Sequence, residues 1–85
     1  MTANIARAFG RGEPIRVSGG TEGLRPTYFT WRGRRYRVRS TERQVSSRPS
    51  DGSRRLVLVR TESGLQAMLS CEPIHGRWRM EGIVA

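Results

Sequence analysis

The apolar positions of this chain come in short runs, most of them alternating with polar residues, and glycine, proline and serine separate the runs. Alternation at a period of two marks strands with one buried face. Glu13–Ser18 alternates, with Ile15 and Val17 on one side. Residues 18–23 (Ser-Gly-Gly-Thr-Glu-Gly) read as a flexible loop. Residues 26–31 and 34–41 are rich in aromatic and β-branched side chains and flank Arg32-Gly33. A polar loop over 44–53, with an Asp51-Gly52 turn, leads into Arg55–Thr61. Its Leu56-Val-Leu-Val59 core is apolar on both faces and suits a central strand covered on both sides. Ser63-Gly64 turns into a strand over 65–71. Residues 73–76 turn again, and Arg77–Val84 closes the chain with Trp78, Met80 and Val84 on one face. The nearest thing to a helix, residues 3–9, is cut short by Gly10 and Gly12, and so short a helix is marginal in water.

Six strands with mostly short connections predict an all-β fold: a small curved antiparallel sheet or barrel of five to six strands in a meander. Residues 13–85 form a single small β domain, and residues 1–12 are expected to be a flexible N-terminal tail. At 85 residues the chain is near the lower limit for a self-sufficient core. It holds no apolar stretch of a membrane span's length, and its N-terminus lacks the apolar segment of a signal peptide. Cys71 is the single cysteine, so an internal disulfide is ruled out, and with only His75 beside it a zinc site is too. The expectation is a cytoplasmic protein with no cofactor, no metal and no membrane contact.

Charge changes the picture. All sixteen basic side chains are arginines. A GC-rich genome would encode arginine where another uses lysine, but codon usage leaves the acids untouched and cannot produce the net charge of +9. From residue 25 to residue 60 the chain carries eleven arginines against Glu42 and Asp51, a local +9, while the flanks are near neutral. Arginine's planar fork pairs bidentately with phosphate and stacks on flat rings. A polyanion partner follows, nucleic acid first among them.

The segment 28–39 concentrates the chemistry. With Arg32-Gly33 as a two-residue turn, Trp31 faces Arg34, Thr30 faces Arg35, Phe29 faces Tyr36 and Tyr28 faces Arg37. Side chains alternate along a strand, so Thr27, Phe29, Trp31, Arg34, Tyr36 and Val38 share a face that is mostly core. Tyr28, Thr30, Arg35, Arg37 and Arg39 share the other, a ladder of cations about 7 Å apart beside an aromatic ring. A three-residue loop would instead set Tyr28 opposite Tyr36; the core pattern favours the first register. Like charges in a row repel, and nothing acidic within the hairpin offsets them, which suggests an anion settles there. The competing reading is a solvated face whose arginine stems cover apolar edges.

Other residues read blandly. Trp31 is core material more readily than a stacking platform, and Tyr28 is the better stacking candidate. Trp78 points inward between outward Arg77 and Arg79. Cys71 packs as a small apolar group, and His75 is a turn histidine without an acid or nucleophile near it in sequence. No constellation resembles an active site.

The run Phe29-Thr-Trp-Arg-Gly-Arg-Arg-Tyr-Arg-Val38, followed by a charged stretch, the Leu56–Val59 strand and a closing Gly-Arg-Trp-Arg-Met-Glu, resembles a family of small uncharacterised bacterial domains. These occur alone or at the C-terminal end of Y-family (translesion) DNA polymerase-like proteins. The resemblance spans about residues 13–84 and rests mainly on the hairpin. Family members carry a longer tryptophan-rich segment where this chain has its polar 44–53 loop. The resemblance implies a setting, DNA damage tolerance, and an accessory role. Together these features predict a non-enzymatic nucleic-acid-binding domain that contacts the backbone of DNA or RNA through Arg32, Arg34, Arg35, Arg37 and Arg39, with Tyr28 stacking or hydrogen-bonding beside them. The alternative is a module that docks on an acidic protein, such as a polymerase subunit. The chain is expected as a monomer or an edge-strand homodimer.

Overall fold

The computed structural model describes residues 12–20, 23–46, 55–72 and 76–84. They form six strands: β1 Glu13–Ser18, β2 Tyr28–Trp31, β3 Arg34–Ser46, β4 Arg55–Thr61, β5 Gln66–Glu72 and β6 Arg77–Val84. Each pairs antiparallel with the next, and β1 also pairs with β6, so the meander closes into a barrel. β1 achieves this by dividing its length. Arg16, Val17 and Ser18 lie opposite Thr30, Phe29 and Tyr28 of β2, while Glu13, Pro14 and Ile15 lie opposite Met80, Arg79 and Trp78 of β6. Pairing to β6 starts one residue earlier still, where the Gly12 amide donates to the Met80 carbonyl at 2.8 Å. The rest of the expected tail, residues 1–11, lies outside the described residues.

Alternation decides what fills the barrel. Phe29, Trp31, Val57, Val59, Ala67, Leu69, Cys71, Trp78 and Met80 are buried, and Ile15, Val17, Leu24, Tyr36, Val38 and Ile83 pack around them. All six strands contribute to this core. Phe29 and Tyr36 face each other across the β2–β3 ladder and stack with ring centroids 5.0 Å apart. Thr61 and Ser70 are the buried polar residues among those described, and both are satisfied. The Thr61 hydroxyl bonds Ser63 and accepts from the Leu65 amide, and the Ser70 hydroxyl donates to Glu81 at 2.7 Å.

Two departures from the expected strands involve β-bulges, and a third does not. β3 runs to Ser46, three residues into the predicted 44–53 loop, because Gln44, Val45 and Ser46 continue the ladder opposite Val57, Leu56 and Arg55. Register shifts at Arg39 and at Glu42 let this thirteen-residue strand bend around the barrel. In β6 a shift between Met80 and Gly82 reverses the later alternation. Ile83, opposite Ala67, turns to the core, and Val84, opposite Gln66, turns to the outer face instead of joining Trp78 and Met80. The expected two-sided cover of β4 resolves into buried Val57 and Val59 and half-buried outer Leu56 and Leu58. The predicted Asp51-Gly52 turn lies outside the described residues.

Candidate nucleic-acid interface

The β2–β3 hairpin takes the two-residue turn. Arg32 and Gly33 both have positive φ, 53° and 76°, as a tight hairpin turn that matches strand twist requires. Glycine meets this at no cost, whereas arginine is strained there, and its side chain is held in compensation. The Arg32 guanidinium donates to both carboxylate oxygens of Glu13, at 3.0 Å for the Nη2–Oε2 pair, and lies 4.8 Å from the centre of the Trp31 ring. The Trp31 indole N–H donates to the same Glu13 at 2.6 Å. These hydrogen bonds, the Arg32 contribution first, hold the Glu13 carboxyl below its ordinary pKa.

With the turn set, the register is the one the core pattern favoured: Tyr28 opposite Arg37, Phe29 opposite Tyr36, Thr30 opposite Arg35 and Trp31 opposite Arg34. Tyr28, Arg35 and Arg37 therefore meet on the outer wall. The Arg35 guanidinium lies over the Tyr28 ring, 4.2 Å from its centroid, and that of Arg37 approaches the same ring at 5.9 Å. Each contact lies within the reach of a cation–π attraction, which offsets part of the repulsion between the two cations. Arg37 has one long contact to Glu62, 4.0 Å between exposed groups. Such a pair contributes little in water.

The other predicted contacts are divided by the fold. Arg34 belongs to the inward-facing set of β3 and ends at the barrel rim, its guanidinium 5.7 Å from the Tyr36 ring. Arg32 stands at the turn with its charge matched by Glu13. Arg39 is exposed but occupies the first bulge of β3, where the even spacing of the ladder breaks. Trp31, Trp78 and Cys71 are core, as read from the sequence. His75 lies outside the described residues.

Barrel closure adds residues that the hairpin reading missed. Arg16, exposed on β1, is level with Thr30 and therefore with Arg35, so the three form a row across the strands. At about 4.8 Å per strand, Arg16 and Arg35 stand about 10 Å apart. Arg79 on β6 lies opposite Pro14, the outward neighbour of Arg16, and Arg77 is exposed on the same face of β6. An open groove of about 350 Å³ runs beside this row, lined by Pro14, Ile15, Arg16, Thr30, Arg32 and Gly33. The alternation of β1 already put Arg16 opposite the core face. The meander made β2 the neighbour of β1; what the sequence could not supply was the register that sets Arg16 level with Thr30.

The described residues of the β1–β2 connection are held by hydrogen bonds. The Gly20 carbonyl accepts from the Arg25 amide at 2.9 Å, the Thr27 carbonyl accepts from the Val38 amide at 2.8 Å, and the Gln44 side-chain Nε2 donates to the carbonyls of Gly23 and Leu24. Among the described residues no ion pair engages Arg16 or Arg35. Comparison with protein families, with curated proteins and with solved structures finds no match to this chain.

Proposed function

We propose that this is a non-enzymatic nucleic-acid-binding domain whose contact surface is the outer wall of β1, β2 and β3. The observation that carries the reading is that Arg35 and Arg37 meet at the Tyr28 ring while Arg16, level with Thr30, stands in the same row as Arg35 on the outer wall, with one long acidic contact among them at Glu62. Soluble surfaces ordinarily intersperse charges of both signs. A wall of one sign is supported by a counter-charge that arrives with the ligand, and a phosphate backbone supplies it at a comparable spacing. Binding of this kind is mainly electrostatic, weak in sequence preference and steep in salt. The likeness of the 29–38 run to domains attached to translesion polymerase-like proteins supports an accessory role in DNA damage tolerance as its setting.

The alternative, docking on an acidic protein, would draw on the same arginines. The other route open to it, addition at a sheet edge, has less to work with, because β1 and β6 take up each other's edges at Glu13–Ile15 and Trp78–Met80. The test is titration of labelled oligonucleotides across a salt series, with Arg16→Gln, Arg35→Gln and Arg37→Gln combined in one variant. We expect the log–log salt slope to flatten by about 2 to 3 units. Unchanged affinity and slope would clear this wall of the role, and capture of a specific acidic protein without oligonucleotide binding would favour the alternative.

A further inference from the structure

The outer wall also bears on which form of nucleic acid it fits, an inference that rests on the binding reading above. The barrel measures 32 × 31 × 22 Å between its extreme Cα positions, and its wall is convex, so arginines on neighbouring strands splay apart. A duplex is a stiff convex rod with a persistence length of about 150 base pairs. Two convex bodies meet along a narrower band than a flexible strand that follows the wall can cover. A major groove would admit a helix or a two-stranded ribbon, but the β2–β3 ribbon is embedded in the barrel and its tip is clasped to β1 through Glu13 and Arg32. A single strand bends freely and can follow the wall.

The stack favours the same partner. Arg35 lies over the half-buried Tyr28 ring, its guanidinium carbon 4.2 Å from the ring centroid, and is itself exposed. The guanidinium's far side is a second planar surface of the kind on which unpaired bases stack. Bases within a duplex have no free face to offer it. One step along the row, the groove between Pro14 and Gly33 combines an apolar margin with Arg16 and Arg32, and its volume is at the lower end of the range for small-ligand sites.

We propose that the β1–β2–β3 wall binds single-stranded nucleic acid, an unpaired base extending the Tyr28–Arg35 stack while Arg16 and Arg37 hold phosphates on either side and the neighbouring nucleotide enters the groove at Thr30. The base contributes affinity that a bare backbone cannot. The probes are short oligothymidine and oligouridine strands, an abasic strand of equal length, and a duplex of equal length, measured by fluorescence anisotropy at one low salt concentration.

Single strands are expected to bind about tenfold more tightly than the abasic strand and more tightly than the duplex; the two single strands compared with one another assign DNA or RNA. Tyr28→Leu is expected to remove most of the advantage over the abasic strand while leaving abasic affinity in place. Tyr28→Phe retains the ring and is expected to keep the advantage, which separates stacking from a folding defect. Equal affinity for the abasic strand, or duplex binding as tight as single-strand binding, would overturn the single-strand inference and leave the binding function standing. Absence of binding to every probe would instead overturn the binding function itself.

Discussion

Glu13 is the residue on which the hairpin tip depends. It satisfies the Trp31 indole, ties down Arg32 at a strained turn and links β1 to the β2–β3 connection. Its pKa is lowered, first by the Arg32 hydrogen bonds and then by Trp31. A carboxylate whose folded pKa lies below its unfolded value adds stability that is present above the unfolded value and is lost as pH falls through the folded one. Glu42, held by Arg60 and Gln66, is shifted in the same direction. The melting temperature is therefore expected to decline as pH drops below about 4.5, the ordinary glutamate value. Glu13→Gln and Glu42→Gln should each flatten that decline, as a thermal melt taken from pH 7 to pH 3 would show; a profile identical to the parent protein's would refute the assignment. None of these partnerships was visible along the chain, because Glu13 and Arg32 are nineteen positions apart and meet only when β1 lies against the hairpin.

At the scale of elements, the hairpin was legible and the long strand was not. The aromatic and β-branched alternation on both sides of Arg32-Gly33 favours this register, since a one-residue slip would set Phe29 and Trp31 on the opposite face from Tyr36. β3 beyond Val38 offers no such pattern. Its bulges at Arg39 and Glu42 break the period of two, and the polar Gln44 and Ser46 resemble loop residues although they are paired. The 19–27 connection matters equally to the site, because it fixes where β1 enters. At Gly20, φ is +69° and an added Cβ would stand 2.0 Å from the Arg25 carbonyl oxygen, a backbone atom that cannot yield cheaply. Gly20→Ala is expected to lower stability by about 2 kcal/mol or more, combining left-handed strain with the clash. Gly33→Ala, with φ +76° but open space around it, should cost about 1 kcal/mol. Denaturant unfolding of both variants checks the order; the reverse ranking would mean that the loop relaxes more easily than this geometry implies.

For the whole molecule, the core is shared by six strands with little to spare, so its largest side chains matter disproportionately. Phe29 is 1% exposed and Trp78 5%, and truncation of either to alanine is expected to cost about 3–5 kcal/mol. That is a large share of the stability of a domain this small, so both variants should be extensively unfolded by circular dichroism near physiological temperature, and a cooperative melt close to the parent's would contradict the burial. Among the described residues, no helix is long and apolar enough to cross a membrane. The sequence by itself determined the all-β class, most strand positions, the inward set of each regular strand, and the Tyr28–Arg35–Arg37 cluster. All of these follow from local chemistry, namely alternation, turn residues and the density of arginine. Tertiary structure alone decided the closure and the registers beyond the hairpin: that β1 closes the ring between β2 and β6, that Arg16 falls level with the hairpin's row, that Arg32 is matched by Glu13, and that bulges redirect Arg39 and Val84. Those outcomes depend on loop paths and on single extra residues within a ladder, and neither leaves a periodic trace in the chain.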